Sequence, residues 1–201
     1  MYLDDIFTNF PVLDLDDNFI LREQTTDDTE AFFQYYADPE VSKYILSTIP
    51  TNIEEAKVEI QYWINLYNRK SCIYWALARK SDNKMVGAIG YNDWNRFNNR
   101  SEISYDLAKD YWGQGLMSKA MSKIIEFGFI NLRFNRIQAS TIKINKSSIK
   151  ILERNGFTFE GKLKQYRYHQ GKYFDIEMFG FTRDEYLKQN PKKKRLLNSN
   201  F

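Results

Sequence analysis

Hydrophobic and polar positions along this chain follow two spacings, one typical of helices and one typical of strands. Apolar residues recur every three or four positions after Asn52 and again after Gly115, which predicts two long amphipathic helices. Alternation of apolar and polar residues, or short apolar runs bounded by turn residues, predicts strands elsewhere. The apolar runs 73–79 and 85–91 are joined by the turn-like segment 81–84, which indicates a hairpin.

The predicted order of elements is a strand, two helices, three strands, a helix, a strand, a helix and two strands. This order is typical of a mixed α/β (α+β) fold, with a mostly antiparallel central sheet of about seven strands flanked by helices. The predicted strands are 19–24, 73–79, 85–91, 102–107, 136–141, 157–168 and 172–181, and the predicted helices are 26–38, 51–67, 116–132 and 147–155.

Composition and charge fit one folded unit with a basic end. Hydrophobic residues make up 43% of the 201 positions, with 9 glycines and 4 prolines, so we expect a single domain over 1–190. The net charge of +3 depends on the tail 191–201, in which the run 192–195 is wholly basic. The remainder is nearly neutral, so we expect no dedicated nucleic-acid surface. The tail is free to contact RNA or another acidic partner, although a solvated end is the more frequent role of such a run.

The sequence also bears on cellular location. No apolar run reaches the roughly 20 residues of a membrane span, and the acidic segment 1–19 lacks the pattern of a secretory signal. We therefore expect a cytoplasmic protein without membrane contact. Cys72 is the single cysteine, which fits a reducing compartment, and its apolar surroundings predict a buried side chain rather than a nucleophile.

The segment 105–117 combines a predicted strand, a glycine-containing turn and the start of a long helix. The first N–H groups of a helix have no partners within it and lie at the positive end of its dipole, where phosphates bind. Gly113 and Gly115 allow a ligand to approach the backbone closely. We therefore expect a phosphate-bearing cofactor at 113–118. A glycine-rich helix entry without a ligand is the alternative, because Gly-x-Gly lacks the further residues of dinucleotide and P-loop motifs.

From about residue 19 to residue 183 the chain resembles the GNAT superfamily of acetyltransferases. In that family a Gln/Arg-x-x-Gly-x-Gly/Ala signature holds the pyrophosphate of coenzyme A. Trp112, Gly115 and Met117 occupy its three marked positions, and of these only Gly115 matches. Trp-Gly-x-Gly is nonetheless a common form in the RimJ/RimL-type ribosomal-protein N-terminal acetyltransferases. The resemblance implies a GNAT-like fold and acetyl-CoA as the cosubstrate.

A second block, 145–157, resembles the Asn-x-x-Ser…Gly-Phe sequence of the RimJ/RimL type and follows the first in the correct order. This implies that Asn145 and Ser148 lie near the pantetheine arm and the thioester. Both residue types also suit helix capping, and the two roles are compatible. The residues that the resemblance assigns to cofactor binding are Tyr105, Leu107, Trp112, Gly113, Gln114, Gly115, Leu116, Met117, Ser118, Asn145 and Ser148.

The resemblance implies direct attack of an amine on the acetyl thioester. This reaction needs a neutral amine, a polarised carbonyl and a proton for the leaving thiolate. Many GNAT enzymes carry a tyrosine on the helix before the Gly-Phe pair, where this chain has Leu152, so Ser148 is the candidate acid. A backbone N–H between Tyr105 and Leu107 is expected to polarise the carbonyl. Glu102 is the candidate base, acting through water, and a solvated strand residue is the alternative.

His169 is the only histidine of the chain and lies beside a predicted turn. Without cysteine or histidine partners it makes a poor metal ligand, so we expect an exposed turn residue and no metal site. Tyr166, Tyr168 and Tyr173 are candidates for the wall of an acceptor cleft, and half-buried strand positions are the alternative.

Three functions remain open from the sequence. The first is acetylation of a protein N-terminus, such as that of a ribosomal protein. The second is the same reaction on a small amine, such as a polyamine, an amino acid or an antibiotic. The third is a non-catalytic acetyl-CoA-binding or ribosome-associated protein, which the missing tyrosine keeps open. We expect the acceptor to be selected by the loops 44–50 and 94–99, and the protein to be a monomer or a homodimer.

Overall fold

The structure is a computed structural model that describes residues 6–193, and the elements below belong to this part of the chain. The strands are β1 (Leu13–Asp14), β2 (Phe19–Glu23), β3 (Ile73–Arg79), β4 (Met85–Asn95), β5 (Arg100–Leu107), β6 (Arg136–Thr141), β7 (Thr158–His169) and β8 (Lys172–Thr182). The α-helices are α1 (Thr29–Tyr36), α2 (Pro39–Ser42), α3 (Ile53–Asn68), α4 (Leu116–Glu126), α5 (Lys146–Arg154) and α6 (Arg183–Gln189).

The strands form one sheet in the order β1–β2–β3–β4–β5–β6–β8–β7. All neighbouring strands in this sheet are antiparallel, except for β5 and β6, which are parallel. The chain passes from β5 to β6 through α4, as parallel neighbours require a crossover connection. The mixed, mostly antiparallel sheet flanked by helices confirms the predicted fold class.

The two faces of the sheet carry separate apolar layers. On one face α4 packs through residues such as Ala120 and Ile124 against strand residues that include Ile89. On the other face Phe32 of α1 and Ile60 of α3 cover the small side chains of β3 and β4. Because β3 is covered on both faces, it is a continuous apolar run rather than an alternating one.

The seven predicted strands are all present, and the structure adds the two-residue strand β1 at one edge. It also adds α2 and α6, for which no helix is predicted. The Thr182 hydroxyl and the Glu185 carboxylate cap the start of α6 reciprocally. The Thr-x-x-Glu pattern over 182–185 is a signal that could have revealed this helix.

The helix predicted over 116–132 is α-helical only to Glu126 and continues as a π-helical segment, Phe127–Asn131. The hydroxyl of Tyr91 donates a hydrogen bond of 2.6 Å to the carbonyl of Ile124, which a regular α-helix would pair with residue 128. A Cβ at Gly128 would lie 2.3 Å from that hydroxyl. The buried tyrosine therefore takes the carbonyl and occupies the space beside the glycine, which widens the last turn.

No helix within residues 6–193 is long and apolar enough to cross a membrane. Of the basic tail predicted over 191–201, residues 194–201 lie outside the described residues. Lys193 is described, and its ammonium group forms an ion pair with Glu126 at the end of α4.

Candidate active site

The sheet opens between β5 and β6. These strands pair over three positions that end at Glu102↔Gln138, and beyond this pair they separate. Each strand remains paired on its other side, β5 with β4 as far as Leu107 and β6 with β8 as far as Thr141. A cleft of about 760 Å³ occupies this part of the molecule, and its walls come from α1, α3, α5, strands β3 to β8 and the loop segment 44–47.

Backbone groups of β5 face the opening where the strands have separated. The N–H of Ala108 donates to the carbonyl of Val86 on β4 at 2.8 Å. Because bonded positions alternate in an antiparallel pair, Tyr105 and Leu107 direct their N–H and C=O groups away from β4. The indole N–H of Trp112 donates to the Leu107 carbonyl at 2.8 Å, which agrees with this direction. The structure thus leaves polar backbone groups of β5 available to a ligand.

Ser148 lies in the cleft near the start of α5. Its Oγ is 2.8 Å from the phenolic oxygen of Tyr105, and either group can be the donor. Burial raises the pKa of Tyr105 to about 12, while the hydrogen bond with Ser148 lowers it. The helix cap is formed instead by Asn145, whose Oδ1 accepts from the N–H of Ser148 at 3.1 Å. The Ser148 hydroxyl is therefore free of capping and available to the cleft.

Glu102 also lines the cleft, at the position where β5 and β6 cease to pair. Its Oε1 accepts a hydrogen bond of 2.5 Å from the Ser140 hydroxyl, and its Oε2 lies 3.3 Å from Nε2 of Gln138. Both partners belong to β6, so the carboxylate spans the point of divergence.

The glycine turn follows the end of β5 and begins α4. Gly113 and Gly115 both have φ of +73°, a left-handed conformation that favours glycine, and Gly115 is the N-cap residue of α4. A Cβ at either glycine would meet no protein atom within 4 Å, so both border open space. Leu116 and Met117 bury their side chains in the core and present only backbone groups at the helix start.

The predicted site residues therefore fall into two adjoining groups. Glu102, Tyr105, Asn145 and Ser148 line the cleft together. The second group lies outside the cleft lining and extends from the end of β5 to the first turn of α4. Its members are Leu107, Trp112, Gly113, Gln114, Gly115, Leu116, Met117 and Ser118. In this group the Gln114 side chain is engaged with its own turn, because its Nε2 donates to the carbonyl of Asp110 at 2.8 Å.

Sequence reasoning missed Asp106, which lies at the inner end of the cleft. The Tyr35 hydroxyl on α1 donates to its Oδ1 at 2.7 Å. Burial raises the pKa of the Asp106 carboxyl to about 7, although the hydrogen bonds from Tyr35 and from the Ala88 backbone lower it. The alternation of β5 placed Asp106 on the same face as Glu102, and that pattern was the available signal.

Other predicted residues are distributed as follows. Tyr166 lines the cleft, whereas Tyr168 and Tyr173 lie against each other, largely exposed, near the tip of the β7–β8 hairpin. Of the two loops expected to select the acceptor, 44–47 contributes to the lining and 94–99 does not.

Two further candidates for chemistry lie away from the centre of the site. Burial raises the pKa of the Cys72 thiol to about 12, which agrees with a structural role. His169 ends β7 at the hairpin turn. Within residues 6–193, no cluster of histidine, cysteine or acidic side chains is arranged to hold a metal ion.

Comparison with known proteins identifies the family. A model described as an acetyltransferase (GNAT) domain matches residues 18–158. N-acetyltransferase p20 of Bacillus licheniformis is 35% identical over 166 residues, covering 83% of this chain and 93% of the relative. The ribosomal-protein-serine acetyltransferase of Escherichia coli K12 is 29% identical over 126 residues, covering 63% of this chain and 69% of that protein.

A solved structure shows the same fold. RimL, a ribosomal L7/L12 α-N-protein acetyltransferase in complex with coenzyme A, aligns with a TM-score of 0.76 at 23% identity, covering 87% of this chain and 99% of that one. The fold, the cleft and the matched family model together define an acyl-transfer enzyme. The chain belongs to the GNAT family and is an acetyl-CoA-dependent N-acetyltransferase, with ribosomal-protein acetyltransferases among its relatives.

The half-buried Asp106 leads to a prediction about stability and pH. In the folded protein its carboxyl has a pKa of about 7 and is protonated below that pH. In the unfolded chain an aspartic acid has its ordinary pKa of about 3.9. The folded state binds the proton more tightly, so this residue's contribution to stability falls as the pH rises from about 4 to about 7, by up to about 4 kcal/mol. Asp106→Asn removes this titration and keeps an acceptor for Tyr35.

The measurement is urea denaturation of both proteins between pH 4 and pH 8. The free energy of unfolding of Asp106→Asn should increase relative to the wild type across this interval. Parallel curves over the whole interval would contradict the assignment of a carboxyl that stays protonated up to about pH 7 in the folded protein.

Proposed function

We propose that this enzyme acetylates the N-terminal α-amine of a protein, by direct attack of the amine on the thioester of acetyl-CoA. The observation that carries the proposal is the opening between β5 and β6, which brings Ser148 and Glu102 into one cleft beside backbone N–H groups of β5. The proposal takes residues 1–190 as one acetyltransferase domain that acts in the cytoplasm.

The turn before α4 suits the pyrophosphate of the cosubstrate. The helix start offers N–H groups and a positive dipole end, and its N-cap residue is a glycine without a capping side chain. The space beside Gly113 and Gly115 is open, so a phosphate can approach the backbone. Bound acetyl-CoA supplies the activated acetyl group as a thioester, and the chain's own residues perform the remaining tasks.

In the proposed reaction each group in the cleft has one task. Backbone N–H groups of Tyr105 and Leu107 stabilise negative charge on the carbonyl oxygen. The amine nitrogen forms the new C–N bond, the C–S bond breaks, and Ser148 donates a hydrogen bond to the departing thiolate. Glu102 accepts the amine proton through water. Tyr105 orients the Ser148 hydroxyl through the 2.8 Å hydrogen bond between them.

The choice of an α-amine follows from the modest base in this site. An α-amino group has a pKa of about 7.7–8.0, whereas a lysine side chain has one of about 10.4. Near neutral pH, deprotonating the lysine costs roughly 3.5 kcal/mol more. A carboxylate that acts through water suits the easier deprotonation, and the relationship to ribosomal-protein acetyltransferases supports the same acceptor class.

Two other functions compete with this proposal. A small amine could be the acceptor in the same cleft. Leu152 lines the cleft, and the resemblance to GNAT enzymes implies a tyrosine at this position in many of them. A non-catalytic role would follow if Leu152 left the site without a working acid. Release of free thiol from acetyl-CoA, measured with peptides and with small amines, separates the three functions.

The first prediction from the proposed function concerns the glycine turn. Gly115→Asn should weaken coenzyme A binding by well over tenfold, which is more than about 1.4 kcal/mol, because the new side chain occupies the space in which the pyrophosphate is proposed to bind. Asparagine tolerates the left-handed conformation, so the fold should be preserved. Calorimetry with coenzyme A measures the affinity.

The matched control is Gly171→Asn, at another left-handed and open position in the β7–β8 turn. It should bind coenzyme A as the wild type does. Unchanged affinity in a folded Gly115→Asn protein would remove the turn from the proposed binding site.

The second prediction concerns Ser148. Ser148→Ala should lower kcat by about 10²-fold, the scale of losing one hydrogen-bond donor to a charge that develops in the transition state, and change KM for acetyl-CoA much less. Ser147→Ala is the matched control, because that exposed hydroxyl bonds only to the capping oxygen of Asn145 among the described residues. Steady-state thiol release measures both variants. A fall of less than threefold in Ser148→Ala would reduce this residue to a structural role.

The third prediction concerns the acceptor. A peptide with a free N-terminus and an internal lysine should be acetylated on its α-amine, and the same peptide with a blocked N-terminus should be acetylated far more slowly. Mass spectrometry locates the acetyl group. Acetylation chiefly on the lysine would refute the α-amine assignment.

A further inference from the structure

The inner end of the cleft forms a chamber between the sheet and the helices α1 and α3. Its floor is the face of the sheet where Tyr74 lies over Gly90, a position at which an added Cβ would be 2.5 Å from the Tyr74 Cα. Asp106 and Gln24 border the chamber from the sheet side, and Glu59 borders it from α3. This chamber adjoins the proposed reaction centre but is separate from the residues assigned to the chemistry.

An unsatisfied acceptor borders this chamber. Gln24 is only 5% exposed, lines the cleft, and its Oε1 finds no hydrogen-bond partner among residues 6–193. A buried polar atom without a partner is destabilising, because it has lost its hydrogen bonds to water without replacing them. A ligand with an N–H donor would satisfy this oxygen, so the position indicates a group that donates hydrogen bonds.

The charges of the chamber point to a cation. Asp106 and Glu59 are both acidic, and Asp106 contributes its negative charge above about pH 7, where its carboxyl is ionised. Tyr35 donates to Asp106 at 2.7 Å and Trp63 donates to Glu59 at 2.9 Å, so both side chains are held in place. Arg167 is the one cationic residue that lines the cleft within the described chain. It belongs to β7 at the far edge of the sheet, away from β3, which carries Tyr74, and from β2, which Gln24 directly follows.

Aromatic rings complete the lining. Trp63 and Tyr74 stack with ring centroids 4.7 Å apart, and Phe32 and Tyr36 stack at 4.6 Å. The faces of aromatic rings attract ammonium groups, and this attraction grows when the ion leaves water. A methylene chain that ends in an ammonium group matches both the apolar rings and the acidic end of the chamber.

We propose that the chamber binds a second alkylammonium group of the acceptor, distinct from the amine that is acetylated. Asp106 lies four residues beyond Glu102 on β5, so their Cα atoms are separated by about 13–14 Å along the strand. The enzyme therefore selects an acceptor with two amines, or a peptide with a lysine close to its N-terminus. This inference rests on the proposed function only in that the same cleft receives the acceptor.

The test compares α,ω-diaminoalkanes, from diaminopropane to diaminodecane, with amino alcohols of the same length. A hydroxyl then replaces the second ammonium group and little else changes. At the best length kcat/KM should be at least about tenfold higher for the diamine, and the diamine should bind the coenzyme A-loaded protein more tightly in calorimetry. Equal kcat/KM for the two compounds at every length would overturn the proposal.

Variants test whether the chamber is responsible. Asp106→Asn and Gln24→Leu should each lower kcat/KM for the diamine by about tenfold more than for the amino alcohol. Glu30→Gln removes a negative charge from the exposed side of α1 and should leave the preference unchanged. A preference that survives in both chamber variants would also overturn the proposal.

A peptide arm separates the two sources of the ammonium group and keeps the two proposals distinguishable. Peptides with lysine or norleucine at the second or third position are compared for acetylation of the α-amine. Faster acetylation of the lysine peptides supports a protein source, and a preference confined to diamines supports a small-molecule source. If the α-amines react without any advantage from a second cation in either series, the chamber proposal fails and the α-amine proposal stands. If no peptide reacts while the diamine preference holds, the α-amine proposal fails and the chamber proposal stands.

Discussion

The separation of β5 from β6 is the constraint on which the rest of this structure depends. Two parallel strands that paired along their whole length would satisfy each other's backbone groups and leave no space between them. Here pairing ends at Glu102↔Gln138, and each strand is held apart by its other neighbour. The divergence therefore creates the cleft and leaves backbone groups of β5 available. Glu102 lies at the point where the two strands separate, and its carboxylate accepts a hydrogen bond from Ser140 on β6 just beyond the last paired position.

The face of the sheet beneath α1 and α3 gives the cleft its depth. The strands there carry small residues, Ala76, Ala88 and Gly90, so the Tyr74 ring can lie flat across the sheet toward Ser104. Ala88 lines the cleft, so a larger residue there would reduce its volume. A Cβ at Gly90 would collide with the backbone and the ring of Tyr74. The small side chains on this face therefore leave room for the Tyr74 ring and for the part of the cleft that Ala88 and Asp106 line.

The sequence predicts the periodic elements and the local motifs better than it predicts contacts between distant segments. The alternation over 102–107 places Glu102 correctly on the polar face, and the glycine turn falls at the start of α4 as predicted. Asp106 lies on that same face, but its bond to Tyr35 joins residues 71 positions apart, and no local pattern reveals it. The π-helical end of α4 likewise depends on Tyr91, a residue of another strand. The orphan oxygen of Gln24 becomes visible only when every neighbour is placed.

The pairing of Ser148 with Tyr105 limits what the proposed acid can do. Burial raises the pKa of Tyr105 to about 12, whereas an ordinary thiol has one near 8.5. Full transfer of the phenolic proton through Ser148 to the thiolate would therefore be uphill by about 5 kcal/mol. A hydrogen bond from Ser148 to the thiolate carries no such penalty and still stabilises the charge that develops on sulfur. In the proposed reaction, then, this pair stabilises the leaving group as a thiolate, and the proton released from the amine neutralises it later. A residue with this task does not need the tyrosine that Leu152 replaces, since a positioned hydroxyl is sufficient.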